Sequence, residues 1–177
     1  EVCVSLARDG NEGQKENAAG ALWNLSDNDD NSVAIAAAGG IEVLVALALD
    51  GTEGQKDCAA GALCNLSMND DNKAAIVAAG GIELFVAMAR DGNEEQKEYA
   101  ASALLILALN EENKVVIAAA GGIEVLMSLA RGGNEAQEEE AQHANHRVFG
   151  CVADAHAVVM APWCNFRRIA NAYAICN

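Results

Sequence analysis

One unit of 41 residues recurs along the chain, and this repeat is the feature that most limits what the sequence can fold into. A pair of glycines opens the GGIE segment of each unit, at residues 39–40, 80–81 and 121–122. The same 41-residue step relates two further sets of residues, which are Gln14, Gln55, Gln96 and Gln137, and Ile35, Ile76 and Ile117. A period of this length is typical of arrays in which each unit is a small supersecondary motif.

Each complete unit contains three predicted helices. In the first complete unit, the first helix covers residues 29–38, where Asp and Asn at its start can cap free N–H groups. Gly39 and Gly40 end this helix and allow a sharp turn. The second helix covers residues 41–49, and the third runs from about residue 53 to residue 67.

The third helix carries an apolar stripe with the spacing i, i+3, i+4 and i+7. The stripe and its two copies are Ala18, Ala21, Leu22 and Leu25, then Ala59, Ala62, Leu63 and Leu66, then Ala100, Ala103, Leu104 and Leu107. A three-helix unit of this size cannot bury its own apolar face, whereas stacked units can. The sequence therefore predicts an all-α fold, a right-handed α-solenoid of stacked three-helix repeats.

The period also predicts where each unit begins and ends. A partial repeat covers residues 1–26, with a second helix over 1–9 and a third helix over 12–26, and complete repeats cover 27–67 and 68–108. Because the chain begins inside a repeat and without Met, we expect it to be a fragment of a longer protein.

A fourth repeat covers residues 109–149 and loses the pattern near its end. Its stripe would be Ala141, Ala144, Asn145 and Val148. Residues 150–177 differ in composition from the repeats and hold the only Pro and half of the six cysteines. Two interpretations remain open for this tail. It is either a divergent cap over the last apolar face or a non-native sequence.

Composition and charge exclude several classes of function. The net charge of −15 opposes binding to nucleic acids and to anionic membrane surfaces, and favours basic partners. No apolar run approaches the ~18 residues of a membrane-spanning helix, so direct membrane insertion is not expected. The six cysteines form no CxxC pair, which predicts reduced thiols and a location in the cytoplasm or the nucleus.

No catalytic or metal-binding pattern stands out. His is absent before residue 143, and neither a nucleophile–base pair nor a phosphate-binding loop is present. The acidic loops at residues 27–31, 68–72 and 109–113 resemble half of a calcium loop but lack its Gly and its final Glu, so helix capping explains them better. We therefore expect no enzyme activity, no metal and no cofactor.

The repeat resembles the armadillo consensus. The segments that carry the resemblance are AAGALWNLS at residues 18–26, then Asn31 and Ile35, then GGIEVLVAL at residues 39–47. A second copy, AAGALCNLS, stands at residues 59–67. The similarity covers residues 1 to about 140. It implies a superhelix of helix triplets whose third helices line a concave groove that holds extended peptides of partner proteins.

In catenin-like members of the armadillo family, an Asn on each third helix grips the main chain of the bound peptide. The matching residues here are Asn24 and Asn65. An Asn amide has a donor and an acceptor on one head and can bond the N–H and C=O of a peptide together. One turn earlier, Gly20 and Gly61 either leave the backbone open to a peptide or only permit close packing of helices.

Other residues of the predicted groove provide selectivity. Trp23 is either a stacking platform for the peptide or a cover for the adjacent repeat, and Tyr99 is a second side-chain contact. Glu16, Asp57 and Glu98 add one acid per repeat and favour Lys or Arg in the peptide. Along the array the groove changes from polar to apolar, through Asn17, Gly20, Trp23 and Asn24, then Cys58, Gly61, Cys64 and Asn65, then Tyr99, Ser102, Leu105 and Ile106.

The sequence also departs from the family pattern. Importin-type members have Trp one turn before the Asn, where this chain has Gly20, Gly61, Ser102 and His143, which argues against a nuclear-import receptor. Ile106 replaces the Asn of the third repeat. The predicted function is a protein-interaction module that binds an extended segment of a partner with basic and apolar residues. The alternatives are a structural spacer in a longer repeat protein and the non-catalytic part of a multidomain enzyme such as a ubiquitin ligase.

Overall fold

The computed structural model describes residues 1–132, 142–144 and 146–147, and within them the chain forms α-helices and no β-strand. The helices are α1 (Val2–Asp9), α2 (Glu12–Leu25), α3 (Asp29–Ala37), α4 (Gly40–Asp50), α5 (Glu53–Leu66), α6 (Asp70–Ala78), α7 (Gly81–Asp91), α8 (Glu94–Leu107), α9 (Glu111–Ala119) and α10 (Gly122–Gly132). Their order confirms the predicted solenoid of helix triplets. Apart from residues 142–144 and 146–147, the third helix of the fourth repeat lies outside the described residues, as do residues 150–177.

The paired glycines turn the chain between the first and second helices of each repeat. Gly39, Gly80 and Gly121 adopt φ values of +74°, +82° and +82°, a left-handed conformation that glycine adopts without strain. The second glycine of each pair allows close packing. A β-carbon at Gly40 would lie 2.5 Å from Cγ2 of Ile35. The shared period of Ile and Gly therefore reflects one contact that recurs in every turn.

The third helices α2, α5 and α8 begin with capping boxes, which explain the recurring Gln. The side chains of Asn11, Thr52 and Asn93 accept hydrogen bonds from the backbone N–H groups of Gln14, Gln55 and Gln96, whose side chains return the bond. The Nε2 of Gln55 also donates to the backbone oxygen of Glu12 at 2.9 Å. Each box thus fixes a helix start, and the box of α5 also ties two repeats together.

The core lies between successive repeats. Helix α5 packs on α2 and α8 packs on α5, and these contacts are more extensive than those among the second helices α1, α4, α7 and α10. The stack therefore curves toward the third helices, which form its concave side. The stripes of α5 and α8 are buried as predicted, and Ala60 and Ala101 are buried as well, as is the equivalent Ala19 of α2.

The predicted stripe of α2 is only partly correct. Ala18 and Leu22 are buried, but Ala21 is partly exposed and Leu25 is 44% exposed. No described helix packs on the side of α2 that faces away from α5, and this explains the difference. In the fourth repeat, Ala144 is buried, and Ala141, Asn145 and Val148 lie outside the described residues.

Candidate functional site

The third helices α2, α5 and α8 form a row along the concave side, and we call this surface the third-helix row. It carries every residue that the sequence singles out for peptide binding. Because equivalent residues recur once per helix, the side chains at one position of the repeat lie in a line from α2 through α5 to α8.

The two asparagines of the predicted ladder stand at the same position of neighbouring helices. Asn24 is exposed on α2 and Asn65 is half-buried on α5. Within the described part of the chain, neither side-chain amide forms a hydrogen bond or an ion pair. Both amides keep a donor and an acceptor for an incoming main chain, which is the chemistry that a peptide clamp requires.

Trp23 crosses from its own helix to the next. Its indole lies against α5 at Gly61, where an added β-carbon would be 2.6 Å from Cε2 and 2.7 Å from Nε1. The indole also meets Tyr99 of α8 in an edge-to-face contact, with ring centroids 5.6 Å apart and planes at 75°. Both aromatic side chains remain half-exposed. One side chain therefore connects three successive third helices.

This contact answers two questions that the sequence left open. Gly61 is buried beneath Trp23, so its backbone is not open to a peptide, contrary to the first of the two interpretations. Trp23 covers the adjacent repeat, and part of the residue stays exposed. Gly20 differs from Gly61, because a β-carbon there would meet only Sγ of Cys58 at 3.6 Å, an ordinary contact distance.

The carboxylates at the start of each third helix differ in their contacts. Asp57 accepts hydrogen bonds from Nδ2 of Asn93 at 2.8 Å and from Nε2 of Gln96 at 2.6 Å, both on the next repeat. The carboxylate of Asp57 therefore binds side chains of the next repeat and is not free to attract a basic peptide. Glu16 is exposed, with its carboxyl group beside Gly54, and Glu98 is half-buried.

A negative potential surrounds the centre of the row. Burial raises the pKa of the Cys58 thiol, and the neighbouring carboxylates of Glu16, Asp57 and Glu95 raise it further. Burial likewise raises the pKa of the Tyr99 hydroxyl, with Glu95 contributing next and then Glu98. Glu95 was not singled out by the sequence analysis, although it lies one turn before Tyr99 on the same helix.

The remaining predicted residues complete the row. Asn17 is exposed on α2, and Ser102 and Ile106 are half-buried on α8. The change from amide to aliphatic side chains along the row is therefore present at the surface. Whether these residues contact a peptide remains a prediction.

Two clefts lie between second helices, and residues near the start of a third helix also line each of them. One, of about 460 Å³, lies between α1 and α4 and is lined by Arg8, Lys15, Glu42 and Asp50 among others. The other, of about 530 Å³, lies at the equivalent place between α7 and α10 and also mixes basic and acidic side chains. Their mixed charge selects no class of ligand, so the third-helix row is the better candidate.

Among residues 1–132, 142–144 and 146–147, no three His, Cys, Asp or Glu side chains are grouped so as to hold a metal ion. In the same residues no single helix is long and apolar enough to cross a membrane. Three bent pairs of helices meet the length and composition limits together, one of them α3 with α4 at 83°.

Comparison with known proteins identifies the repeat. The family model of the Armadillo/beta-catenin-like repeat matches residues 69–108. A segment of 42 residues is 52% identical to Protein ARABIDILLO 2 of Arabidopsis thaliana, and covers 24% of this chain. The chain spans only 4% of the length of that relative.

Solved structures of engineered proteins share the fold. One crystal structure of an engineered protein has a TM-score of 0.78 and 30% identity, and the match covers 87% of this chain and 66% of that one. A designed armadillo repeat protein has a TM-score of 0.78 and 27% identity, over 82% and 63% of the two chains. Another, in complex with the peptide (KR)4, has a TM-score of 0.76 and 21% identity over 86% and 68%.

Proposed function

Because the chain is an armadillo repeat protein, we propose that it is a non-catalytic protein-interaction module that holds an extended segment of a partner along the third-helix row. The observation that carries the proposal is the pair of amides of Asn24 and Asn65 on neighbouring helices of the concave side, which form no hydrogen bond within the described residues. Hydrogen bonds to a main chain provide affinity without dictating sequence, and neighbouring side chains provide selectivity.

The side chains around the clamp indicate which segment would bind. The exposed parts of Trp23 and Tyr99 offer aromatic surface, and carboxylates including Glu16 and Glu98 offer negative charge. Lys and Arg interact favourably with both kinds of group. At α8 the half-buried Ile106 favours an apolar residue. The peptide (KR)4 bound by a designed armadillo repeat protein is a suitable first probe of the basic preference.

The three cysteines in the described residues are free thiols. We propose a location in the cytoplasm or the nucleus, where thiols stay reduced.

Peptide selection tests this function directly. A phage-displayed library is selected on the protein, and the affinity of a recovered peptide, alongside labelled (KR)4, is measured by fluorescence anisotropy. Each measurement is repeated with the variant Asn24→Ala/Asn65→Ala. Because each lost hydrogen bond is worth about 1 kcal/mol, binding should weaken by roughly 10-fold or more. The melting temperature should stay nearly unchanged, since both side chains lack hydrogen-bond partners among the residues that the structure describes.

The matched control changes two exposed residues at an equivalent pair of positions on the second helices, Glu42→Ala/Glu83→Ala, and should bind as the unchanged protein does. Equal loss in both variants, or no loss in the Asn variant, would rule out the amide clamp. A large fall in melting temperature for the Asn variant would show that the amides support the fold.

A structural spacer is the second candidate, and specific contacts favour it. Trp23 and Asp57, which the sequence assigned to peptide contact, are both engaged between repeats. A spacer would select no peptide from the library, and its Asn variant would behave like the unchanged protein. If the chain is instead the non-catalytic part of a multidomain enzyme, the third-helix row would bind the substrate of that enzyme.

A further inference from the structure

The loops that follow the third helices α5 and α8 expose a large apolar residue at the same position of the repeat. Met68 is 62% exposed and Leu109 is 53% exposed. The backbone N–H of each donates to a backbone oxygen one turn earlier, that of Met68 to Asn65 at 3.1 Å and that of Leu109 to Ile106 at 3.2 Å. The two residues therefore extend the third-helix row past the ends of its helices. We call residues 68–71 and 109–112 the loop edge.

The fold does not require apolar side chains at these two positions. The side chains of Asn69 and Asn110 cap α6 and α9, and each accepts hydrogen bonds from two backbone N–H groups. The equivalent of Met68 in the preceding loop is the exposed Asp27, so the loop also forms with a charged residue there. A single exposed apolar residue is ordinary, whereas neighbouring ones mark an interaction surface.

The loop edge adjoins the apolar end of the third-helix row. Leu105 and Ile106 are half-buried on the last turn of α8, and Leu109 follows one turn later on the same side. Helices α5 and α8 pack on each other, and the axes of packed helices lie about 8–10 Å apart. Met68 and Leu109 therefore stand about 10 Å apart, a distance that two apolar side chains of one bound segment can span.

Unpaired carboxylates follow the apolar residue in each loop. The first carboxylate of each loop forms an ion pair at 2.6 Å with a lysine one turn later. The second carboxylate, which is Asp71 or Glu112, is exposed, and its side chain has no hydrogen bond or ion pair within the described part of the chain. A second copy of this chain, with a net charge of −15, and an anionic membrane would both bring like charges to the edge. A basic segment brings the opposite charge.

We propose that the loop edge is a second contact surface for a partner protein, and that it binds a basic segment with two bulky apolar side chains about 10 Å apart. The apolar side chains cover Met68 and Leu109, and neighbouring Lys or Arg residues pair with Asp71 and Glu112. The inference rests on the proposed function in taking a segment of a protein partner as the occupant. It does not depend on the amide clamp, because the loop edge uses other side chains.

Labelled peptides derived from (KR)4 test the proposal. In three of them, two basic residues that are two, three or four positions apart are replaced by Leu, which spans about 7–14 Å in an extended chain. Fluorescence anisotropy measures their affinity for residues 1–177 and for the variant Met68→Ser/Leu109→Ser, which removes apolar surface without changing the charge. The variant should bind the tightest Leu peptide about 5-fold or more weakly, and (KR)4 less than about 2-fold more weakly.

A second variant tests the role of charge. Asp71→Asn/Glu112→Gln should weaken binding of the same Leu peptide by about 3-fold or more at low salt, and the difference from the unchanged protein should shrink at high salt. Peptides with Glu in place of every Lys and Arg should not bind. Equal binding of the Glu peptides would contradict the preference for a basic segment.

The matched control is Val33→Ser/Leu49→Ser, because these residues are 46% and 55% exposed on other helices. It should bind every peptide as the unchanged protein does. Both Ser variants should keep nearly the same melting temperature, since the substituted residues are exposed. Protein labelled with 13C-methyl methionine provides a local measurement, in which the methyl resonance of Met68 should shift when the Leu peptide is added.

Three results would overturn the proposal. One is equal affinity of the Leu peptides for the unchanged protein and for Met68→Ser/Leu109→Ser. Another is the failure of every Leu peptide to bind the unchanged protein. The third is self-association, measured by sedimentation, that the Ser variant abolishes, since a second copy would then be the occupant.

The clamp variant Asn24→Ala/Asn65→Ala, measured with the same peptides, separates this proposal from the proposed function. Loss of binding in the clamp variant alone would support the third-helix row and reject the loop edge. Loss of binding in Met68→Ser/Leu109→Ser alone would support the loop edge and reject the clamp.

Discussion

The indole of Trp23 fills the space that a side chain at position 61 would need. A β-carbon at Gly61 would lie 2.6 Å from Cε2 of Trp23, which is closer than real contacts of this kind. Glycine inside a helix costs about 0.5–1 kcal/mol relative to alanine, and at this position the packing of the tryptophan offsets that cost. The glycine of one repeat is therefore explained by the tryptophan of the repeat before it.

The first prediction compares the two glycines at this position of the repeat. Gly61→Ala should destabilise the protein by about 1–3 kcal/mol, because the added methyl group must displace the indole. Gly20→Ala should instead be neutral or stabilise by up to about 1 kcal/mol, since its methyl group meets only Cys58 Sγ at 3.6 Å and alanine favours the helix. Urea unfolding followed by circular dichroism measures both changes.

Tryptophan fluorescence separates the two variants further. Gly61→Ala should shift the emission of Trp23, whereas Gly20→Ala should not. If both variants had the same stability, the proposed role of Gly61 in packing would be refuted.

The second prediction concerns the carboxylate that joins two repeats. Asp57→Ala should destabilise the protein by about 1–2 kcal/mol, because Gln96 is 4% exposed and would keep only Oε2 of Glu53, at 3.4 Å, as a side-chain acceptor for its Nε2. Thermal unfolding at fixed pH measures the change. Asp57→Asn retains an acceptor oxygen and should recover part of the loss.

Glu16→Ala serves as the control for charge, because this carboxylate occupies the equivalent position and is exposed. Its effect on stability should stay below about 0.5 kcal/mol. An Asp57→Ala variant as stable as Glu16→Ala would show that the hydrogen bonds to Asn93 and Gln96 contribute nothing.

The third prediction is a pH dependence of thiol reactivity. Burial, followed by the carboxylates of Glu16, Asp57 and Glu95, raises the pKa of Cys58. A raised pKa means less thiolate at any given pH, so Cys58 should be alkylated more slowly than a free cysteine. Its reactivity should increase over a higher pH range. Mass spectrometry of iodoacetamide-labelled peptides, taken at several pH values, follows this residue alone.

The same peptide labelled in urea provides the reference for an unburied thiol. Glu16→Gln removes one of the neighbouring charges and should shift the folded profile toward lower pH. Identical profiles in the folded and unfolded protein would contradict the effect of burial and charge.

Much of the fold could be predicted from the sequence because the period repeats the same physical signals. Gly39 marks a turn with positive φ, and the recurring Gln marks each capping box. The apolar spacing of α5 predicted its buried stripe. These features depend on residues that are close in the chain, and each of them recurs in successive repeats of the sequence.

The contacts between repeats were harder to predict. Trp23 meets Tyr99 across an intervening helix, and Asp57 binds side chains of the following repeat. Such contacts depend on the rotation between repeats, which no local pattern specifies. The sequence does contain one signal of the contact at Gly61. A glycine stands inside the third helix of one repeat, and the third helix of the repeat before it carries a tryptophan. The apolar stripe also predicts a buried Leu25, which is wrong. The position of a residue in the stripe does not show whether a neighbouring helix covers it.

The last prediction uses that difference between equivalent leucines. Leu66 and Leu25 occupy the same position of successive repeats, and the two residues are 0% and 44% exposed. Leu66→Ala should destabilise by about 2–5 kcal/mol, because it loses buried surface and leaves a cavity between α2 and α5. Leu25→Ala should cost less than about 1 kcal/mol, since the removed atoms already contact solvent. Urea unfolding compares the two variants in the same protein. A Leu25→Ala variant as unstable as Leu66→Ala would mean that Leu25 is covered in solution, and self-association at the concentrations used would identify a second copy as the cover.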